Sequence, residues 1–268
     1  MSLLPKCRSI SIPGSELDCV SFGRGDMPLV ILPGLSTRDV RSAGLMLSLM
    51  YRSFARDFTV YILDKPRHIP EGCTVADLAE SCAAAMDALG LEKACVLGVS
   101  LGGMMAQELA ILHPELVASL VLGLTAARTN PSIESSISRW LGYMERGDFA
   151  AFGRDMMESM YSASYLKSYA FMLPVAAALS RPKDVERFIN LAKTCLTCES
   201  FEHLEKISCS TLVIGAGQDK VVSGEASVEI AEKLGCTLHM YDKLGHAAYD
   251  EAGDFNKRVL DFFLEEAE

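Results

Sequence analysis

The residues around Ser100 have the types and spacing of a nucleophile on a tight turn. Gly98, Ser100 and Gly102 form a Gly-x-Ser-x-Gly pattern, with an apolar run before it and a helix-like run after it. A serine between a strand and a helix adopts strained backbone geometry, and small neighbours are needed because a Cβ at either flank would clash. The turn lifts the hydroxyl clear of the sheet, and the start of the helix offers backbone N–H groups to a developing negative charge. The pattern therefore predicts nucleophilic attack by Ser100.

A nucleophilic serine needs a general base, and the base needs an acid that orients it. Of the five histidines, His246 is the best candidate because it follows the last predicted strand. Loops at the carboxyl ends of strands carry the chemistry of such sheets. Asp219 also comes just after a predicted strand and is the preferred acid, with Asp242 and Asp250 as alternatives nearer to His246 in sequence. The order Ser100, Asp219, His246 is the serine–acid–histidine order of one hydrolase fold.

The elements that must hold these residues alternate between strands and helices along most of the chain. Apolar runs bounded by turn residues predict strands at 8–12, 17–22, 28–32, 58–63, 94–99, 117–125, 209–215 and 237–241. Capped or amphipathic runs predict helices at 45–54, 74–89, 101–113, 227–234 and 254–264. Such alternation is typical of a parallel sheet with helices on both faces. We therefore expect an α/β fold whose sheet is mostly parallel and has about eight strands.

The alternation is interrupted between residues 126 and 206, where the sequence contains no convincing strand. Apolar residues recur there at helical spacing, as in Ile133 and Ile137. This pattern favours a helical insertion between two strands of the sheet. We predict a core made of residues 1–125 and 207–268, with residues 126–206 forming a helical cap.

Further motifs accompany the three candidate residues. They are Leu32-Pro33-Gly34-Leu35, Gly103-Met104-Met105-Ala106-Gln107 directly after the serine turn, His113-Pro114-Glu115, Thr211-Leu212-Val213-Ile214-Gly215 leading to Asp219, and Gly245-His246. With these motifs the chain resembles α/β-hydrolase fold proteins over nearly its whole length. Its serine turn is most similar to those of small esterases, enol-lactonases and carbon–carbon bond hydrolases, and cofactor-free haloperoxidases share it. A serine nucleophile speaks against the dehalogenase and epoxide-hydrolase branches, which use aspartate.

The resemblance implies an oxyanion hole made by the backbone N–H groups of Leu35 and Leu101. It also implies that residues 126–206 are the cap over the active site, and that neither a cofactor nor a metal takes part. Two departures from the family pattern weaken the assignment of the chain to one subfamily. Pro33 stands where a histidine often precedes the oxyanion-loop glycine, and residues 64–68 (Asp-Lys-Pro-Arg-His) replace a loop that is usually glycine-rich.

The substrate pocket is expected beside the serine and under the cap. We expect Gly34, Trp140 and Met144 to border it. Methionines suit an adaptable apolar lining, although each one taken alone is more typical of packing; the candidates are Met46, Met50, Met144, Met156, Met157, Met160 and Met172. Arg38 and Arg41 follow the oxyanion loop and could meet an acidic substrate, but solvated or paired surface positions are favoured.

Composition narrows the classes of partner. The chain has 268 residues, a formal net charge of −10 and no cluster of lysine or arginine, which argues against nucleic acid and anionic membrane surfaces. No uncharged apolar run approaches the length of a membrane span, and residues 1–20 lack the apolar segment of a signal peptide. We therefore expect a cytoplasmic protein that acts on a small molecule, with no membrane or nucleic-acid partner. The oligomeric state cannot be read from the sequence.

Nine cysteines without a secretion signal indicate reduced, mostly buried side chains. Cys195, Cys198, His203 and Cys209 follow the order of a zinc knuckle. The last gap is one residue too long, however, and the segment has no glycine for the tight turns. A packing role is therefore favoured over metal binding.

Together these features predict a serine hydrolase that cleaves an ester or ester-like acyl bond of a small to medium apolar substrate. Carbon–carbon hydrolysis, acyl transfer or perhydrolysis could use the same residues. A binding protein with vestigial turnover is the alternative from a different class, and an intact triad argues against it. Turnover of a generic aryl ester far above background would favour the enzyme.

Overall fold

The computed structural model describes residues 5–171, 175, 177 and 180–266. Eight strands form one sheet, and in chain order they are β1 (Lys6–Ile12), β2 (Ser15–Gly23), β3 (Met27–Leu32), β4 (Phe58–Leu63), β5 (Ala94–Val99), β6 (Val117–Gly123), β7 (Ser210–Ala216) and β8 (Thr237–Tyr241). Their order across the sheet is β1-β2-β4-β3-β5-β6-β7-β8. β2 runs antiparallel to both of its neighbours, and all other neighbouring pairs are parallel. The expected α/β fold with a mostly parallel sheet of eight strands is confirmed.

Helices cover both faces of this sheet. The α-helices in the described part of the chain are α1 (Gly44–Met50), α2 (Val75–Ala88), α3 (Leu101–Leu112), α4 (Pro131–Arg146), α5 (Phe149–Met160), α6 (Ala163–Ser168), α7 (Val185–Thr194), α8 (Gly224–Leu234), α9 (Ala248–Glu251) and α10 (Phe255–Glu265). Short 3₁₀ turns occupy Arg52–Ala55, Pro114–Leu116, Cys195–Thr197 and Ser200–Lys206. The predicted helix at 45–54 is therefore in two pieces. The tighter second turn lets both Tyr51 and Phe54 lie in the core.

The core has two parts because the side chains of a strand alternate between the faces of the sheet. In β3, Val30 and Leu32 belong to the apolar cluster on one face, whereas Leu29 and Ile31 belong to the cluster on the other. All four side chains are fully buried. Burial on both faces explains why the central strands read as continuous apolar runs. The sheet is thus a rigid platform whose carboxyl edge carries the loops that follow β3, β4, β5, β7 and β8.

Residues 126–206 carry α4, α5, α6 and α7 between β6 and β7. In the described residues of this segment, the β pairing consists of a single bridge between Arg128 and Glu199. Helix boundaries follow local capping. Asn130 accepts hydrogen bonds from the N–H groups of Ser132 and Ile133 at the start of α4, and Gly147 ends that helix in a left-handed conformation. The segment is helical, and its assignment as a separate cap remains a prediction.

Candidate active site

Ser100 lies between β5 and α3 with φ 54° and ψ −122°, a backbone conformation that L residues rarely adopt. Two hydrogen bonds hold this conformation, one with the last residue of β6 and one with the loop after that strand. Its N–H donates to the carbonyl oxygen of Gly123 over 2.9 Å, and the Thr125 hydroxyl donates to its carbonyl oxygen over 2.8 Å. The side chain is half-buried. The strain therefore presents the hydroxyl at the carboxyl edge of the sheet, as the sequence pattern predicts.

The glycines beside Ser100 are required by close backbone approach. A Cβ on Gly98 would overlap the Gly102 carbonyl oxygen, and one on Gly102 would overlap the carbonyl oxygen of Leu32 at the end of β3. Gly34 follows that strand, and a Cβ there would lie 3.1 Å from the Cβ of Ser100. These contacts bring the loop after β3 against the serine turn.

His246 and Asp219 meet Ser100 from the ends of other strands. His246 Nε2 lies 2.9 Å from Ser100 Oγ, and His246 Nδ1 lies 2.8 Å from Asp219 Oδ2. The second Asp219 oxygen, Oδ1, accepts hydrogen bonds from the N–H groups of Val221 and Val222. Both partners of Ser100 are almost fully buried. The alternatives differ, since Asp242 is exposed and Asp250 accepts a hydrogen bond from the Tyr161 hydroxyl.

The loop that carries His246 is anchored to the helical segment. The N–H of Ala247 donates to the carbonyl oxygen of Met160 over 2.8 Å, and a Cβ on Gly245 would lie 2.6 Å from the same oxygen. The imidazole is therefore held by backbone contacts on both sides of it in sequence. This arrangement has the geometry of a serine whose proton passes to an imidazole, with a carboxylate stabilising the resulting charge.

Leu35 and Leu101 supply two backbone N–H groups next to Ser100. Leu101 is the first residue of α3, where N–H groups have no partner within the helix. Leu35 follows Gly34 in the loop packed against the serine turn. Within the described residues, neither N–H donates to a protein acceptor. Their role as an oxyanion hole remains a prediction.

A cavity of about 400 Å³ opens at Ser100. It is mostly apolar, and its lining includes Gly34, Leu35, Met46, Met50, Met104, Ile133, Ile137, Trp140, Met156, Met160, Val221 and His246. Gly34 and Trp140, which the sequence analysis expects at the substrate pocket, are both part of this lining. The Trp140 indole N–H donates to Asp155 Oδ2 over 2.8 Å, which fixes the ring in the wall.

Met144 does not border this cavity, contrary to expectation. It lies one helical turn beyond Trp140, is buried, and packs in the core. Met157 is likewise outside the lining, whereas Met172 lies outside the described residues. Arg38 lines the cavity. Arg41 has a largely exposed side chain, and its Nη1 lies 3.9 Å from Asp18 Oδ1.

Sequence reasoning missed Lys65, which also lines the cavity and is almost fully buried. Its ammonium donates to the carbonyl oxygens of Pro33 and Gly34. Burial lowers the pKa of Lys65 to about 8, although the Asp64 carboxylate acts in the opposite direction. The sequence signal that could have identified Lys65 is the charged pair Asp64-Lys65 directly after a buried strand. Functional residues of such folds lie at the carboxyl ends of the strands.

The knuckle-like residues are dispersed. Cys195 and Cys198 are buried with thiols directed at the carbonyl oxygens of Leu191 and Ala126, while His203 is exposed. Across residues 5–171 and 180–266, no three histidine, cysteine, aspartate or glutamate side chains are grouped as a metal site would require. All nine cysteines are free thiols. In the same part of the chain, no helix has the length and apolar character needed to cross a bilayer.

A sequence profile of the α/β hydrolase fold family matches residues 28–253. The chain belongs to this family. A proposed carbamate hydrolase of Caulobacter sp. (strain K31) is 30% identical over 208 residues, which cover 75% of this chain and 76% of that protein. The 2-hydroxymuconate semialdehyde hydrolase of Pseudomonas sp. (strain CF600) is 31% identical over 199 residues, covering 67% of this chain and 65% of that one. The chain is accordingly a hydrolase of this family.

Solved structures show the same α/β hydrolase fold. MGS-M2, an α/β hydrolase enzyme from a Medee basin deep-sea metagenome library, superposes with a TM-score of 0.87 at 21% identity, covering 96% of this chain and 97% of that chain. The enol-lactonase of Burkholderia xenovorans LB400 superposes with a TM-score of 0.82 at 21% identity, covering 96% of this chain and 100% of that chain. At such identities the likeness concerns the fold.

Proposed function

We propose that the protein hydrolyses an ester or ester-like acyl bond of a small to medium apolar substrate through an acyl-enzyme on Ser100. The observation that carries this proposal is the unbroken chain from Ser100 Oγ through His246 to Asp219, with links of 2.9 and 2.8 Å. These links lie within the reach expected of a nucleophile, its base and the group that orients the base.

In the proposed reaction, Ser100 Oγ attacks the substrate carbonyl carbon and its proton passes to His246 Nε2. The carbonyl oxygen becomes an oxyanion that accepts hydrogen bonds from the N–H groups of Leu35 and Leu101. The tetrahedral intermediate collapses, the bond to the leaving group breaks, and His246 gives its proton to that group. Asp219 stabilises the imidazolium while it exists.

Water then completes the cycle. A water molecule gives a proton to His246 and attacks the acyl carbon, the bond to Ser100 Oγ breaks, and the serine oxygen regains its proton. The product acid leaves, and the enzyme returns to its starting state. Apart from this water and the substrate, every group in the cycle is a side chain or backbone N–H of this chain, and the substrate is a small molecule held in the cavity.

The lining supports the proposed substrate class. Methionines adapt to different apolar shapes, and Met46, Met50, Met104, Met156 and Met160 contribute to the wall. A cavity of about 400 Å³ falls within the range of small-molecule sites. An apolar acyl or alcohol portion would bury its surface against this wall.

Carbon–carbon bond hydrolysis is the second candidate. It is favoured by the 31% identity with the 2-hydroxymuconate semialdehyde hydrolase of Pseudomonas. The same serine, imidazole and oxyanion donors would act on a carbonyl whose leaving group is carbon. Product analysis separates the candidates, since one releases an acid with an alcohol and the other cleaves a carbon skeleton.

The decisive experiment compares the wild-type protein with Ser100→Ala and Ser168→Ala. We expect Ser100→Ala to lose on the order of 10⁴–10⁶ in turnover of a panel of aryl and alkyl esters. It should also lose labelling by a fluorophosphonate, which bonds to the serine oxygen with release of fluoride. Ser168 is exposed and does not line the cavity, so Ser168→Ala should behave as the wild type. Retention of a tenth of the activity in Ser100→Ala would overturn the assignment.

A further inference from the structure

The loop after β3 is held by a buried ammonium group from the loop that follows the neighbouring strand β4. Lys65 Nζ donates to the Gly34 carbonyl oxygen over 2.6 Å and also to the carbonyl oxygen of Pro33. Only 3% of the lysine is exposed. Burying a charged group is unfavourable unless hydrogen bonds compensate for the lost water. The two carbonyl oxygens supply that compensation, which indicates that the ammonium has a specific role at this position.

The strand order explains the reach of Lys65. β4, β3 and β5 lie side by side and run parallel. Their carboxyl ends therefore meet at one edge, where Lys65 follows β4, Gly34 follows β3 and Ser100 follows β5. Gly34 therefore contacts both neighbours, since its carbonyl oxygen accepts a hydrogen bond from Lys65 and its Cα packs against Ser100.

The geometry of one peptide unit links the lysine to the oxyanion site. The carbonyl of Gly34 and the N–H of Leu35 belong to the same planar peptide, which is trans. In a trans peptide these two groups point in opposite directions. An ammonium bound to the Gly34 oxygen therefore fixes the direction of the Leu35 N–H. It also polarises the peptide, since hydrogen bonds in series strengthen one another in a medium of low dielectric constant.

The backbone of Lys65 is held in turn by charged partners. Asp64 Oδ1 accepts hydrogen bonds from the Lys65 N–H and from Arg187 of α7, and the Arg187 guanidinium also donates to the Lys65 carbonyl oxygen. The titratable and charged groups facing the ammonium are Asp64, Arg187 and Cys195. Asp64 and Arg187 thus hold the backbone from which the Lys65 side chain extends.

We propose that Lys65 is a positioning residue of the oxyanion hole, which orients and polarises the Gly34–Leu35 peptide so that the Leu35 N–H meets the developing oxyanion. This inference rests on the proposed serine mechanism. It explains why charged residues occupy the loop after β4 in place of the usual glycines. Lys65 acts through Leu35 and does not touch the substrate carbonyl.

The test replaces Lys65 with methionine, which keeps the chain length and removes the charge. Removing an oxyanion donor outright costs about 10²–10³ in turnover. An indirect effect should be smaller, so we expect Lys65→Met to reduce kcat for ester hydrolysis by about 10–100-fold with little change in KM. The second-order rate of fluorophosphonate labelling should fall in parallel, because the phosphoryl oxygen uses the same N–H groups. Lys183→Met removes an exposed ammonium nearby and should change neither rate.

The pH profile provides a readout that a purely structural role would not move. With a pKa of about 8, Lys65 is charged below that pH and neutral above it. The wild-type kcat and labelling rate should therefore decline as pH rises through about 8. Lys65→Arg keeps a charge throughout this range, so it should recover part of the activity without the decline.

The outcomes separate the two proposals. A wild-type protein that neither cleaves esters nor reacts with the fluorophosphonate overturns the serine mechanism itself. A wild-type protein that reacts, with Lys65→Met matching it in labelling rate and pH profile, overturns the role of Lys65 alone. If Lys65→Met does not fold, an identical pH profile for wild type and Lys65→Arg overturns the role equally.

Discussion

At the scale of single residues, the candidate site combines one residue with a strained backbone and two side chains that are tightly held. Ser100 adopts a positive φ, whereas Asp219 has both carboxylate oxygens engaged. Two backbone N–H groups bind Oδ1, which leaves Oδ2 for His246. The carboxylate therefore has a single orientation, and the imidazole must place Nδ1–H toward it with Nε2 toward the serine.

Asp219→Asn tests this orientation. An amide that donates to Nδ1 would impose the wrong imidazole tautomer, so we expect kcat to fall by about 10⁴-fold with little loss of stability. Steady-state ester hydrolysis measures the effect, and thermal unfolding checks the fold. Asp242→Asn is the matched control because Asp242 is exposed. Full activity in Asp219→Asn together with loss in Asp242→Asn would show that the acid is misassigned.

At the scale of elements, the proposed mechanism takes its chemistry and its selectivity from different parts of the fold. The loops after β3, β5, β7 and β8 carry the N–H donors, serine, acid and imidazole, all at the carboxyl edge of the sheet. Helices α4 and α5, by contrast, contribute apolar side chains to the cavity wall. Substitutions in these helices should thus change which substrate is preferred while leaving the serine reactive.

Met156→Ala in α5 tests this division. Enlarging the apolar wall should favour longer acyl chains, and each methylene gained or lost is worth about 1–3 kcal/mol of discrimination. Ratios of kcat/KM across esters of increasing chain length measure the shift. Met157 is the next residue of α5 but does not line the cavity, so Met157→Ala should keep the wild-type preference. Loss of fluorophosphonate labelling in folded Met156→Ala would argue against a role confined to selectivity.

At the scale of the whole molecule, the helical segment is joined to the sheet by buried polar contacts. Arg187 of α7 donates to Asp64 and to the carbonyl oxygens of Lys65 and Pro66. On another side, the Ser162 hydroxyl donates to Glu251 over 2.5 Å. Since both charges of the Arg187–Asp64 pair are mostly buried, removing one should cost more than removing a surface charge.

We expect Arg187→Met to lower the free energy of unfolding by about 3 kcal/mol, because it leaves the Asp64 carboxylate with fewer partners. Urea denaturation followed by circular dichroism measures this loss. Arg56 forms an exposed pair with Asp57, and Arg56→Met should unfold at the wild-type urea concentration. Equal unfolding midpoints for Arg187→Met and wild type would show that this contact does not hold the segment to the sheet.

Much of the architecture follows from local sequence. Continuous apolar runs are typical of central strands buried on both faces, so the succession of strands along the chain is predictable. Gly98 and Gly102 leave room for close backbone approach, so the serine turn is predictable as well. The observed bounds of the helices and strands differ from the predicted ones by a few residues, because helix caps and 3₁₀ turns depend on how the chain packs. The helix predicted at 45–54 divides for that reason.

The sequence by itself determined the fold class, the family and the three residues that the structure brings into contact, because each has a local signature beside a strand. Only the tertiary structure decided which side chains face the cavity. Helical spacing places Trp140 and Met144 on the same stripe, and both side chains are buried in the same core cluster, yet Trp140 lines the cavity and Met144 does not. The tertiary structure also revealed the contact between Lys65 and Gly34, because a hydrogen bond between residues 31 positions apart depends on which strands become neighbours.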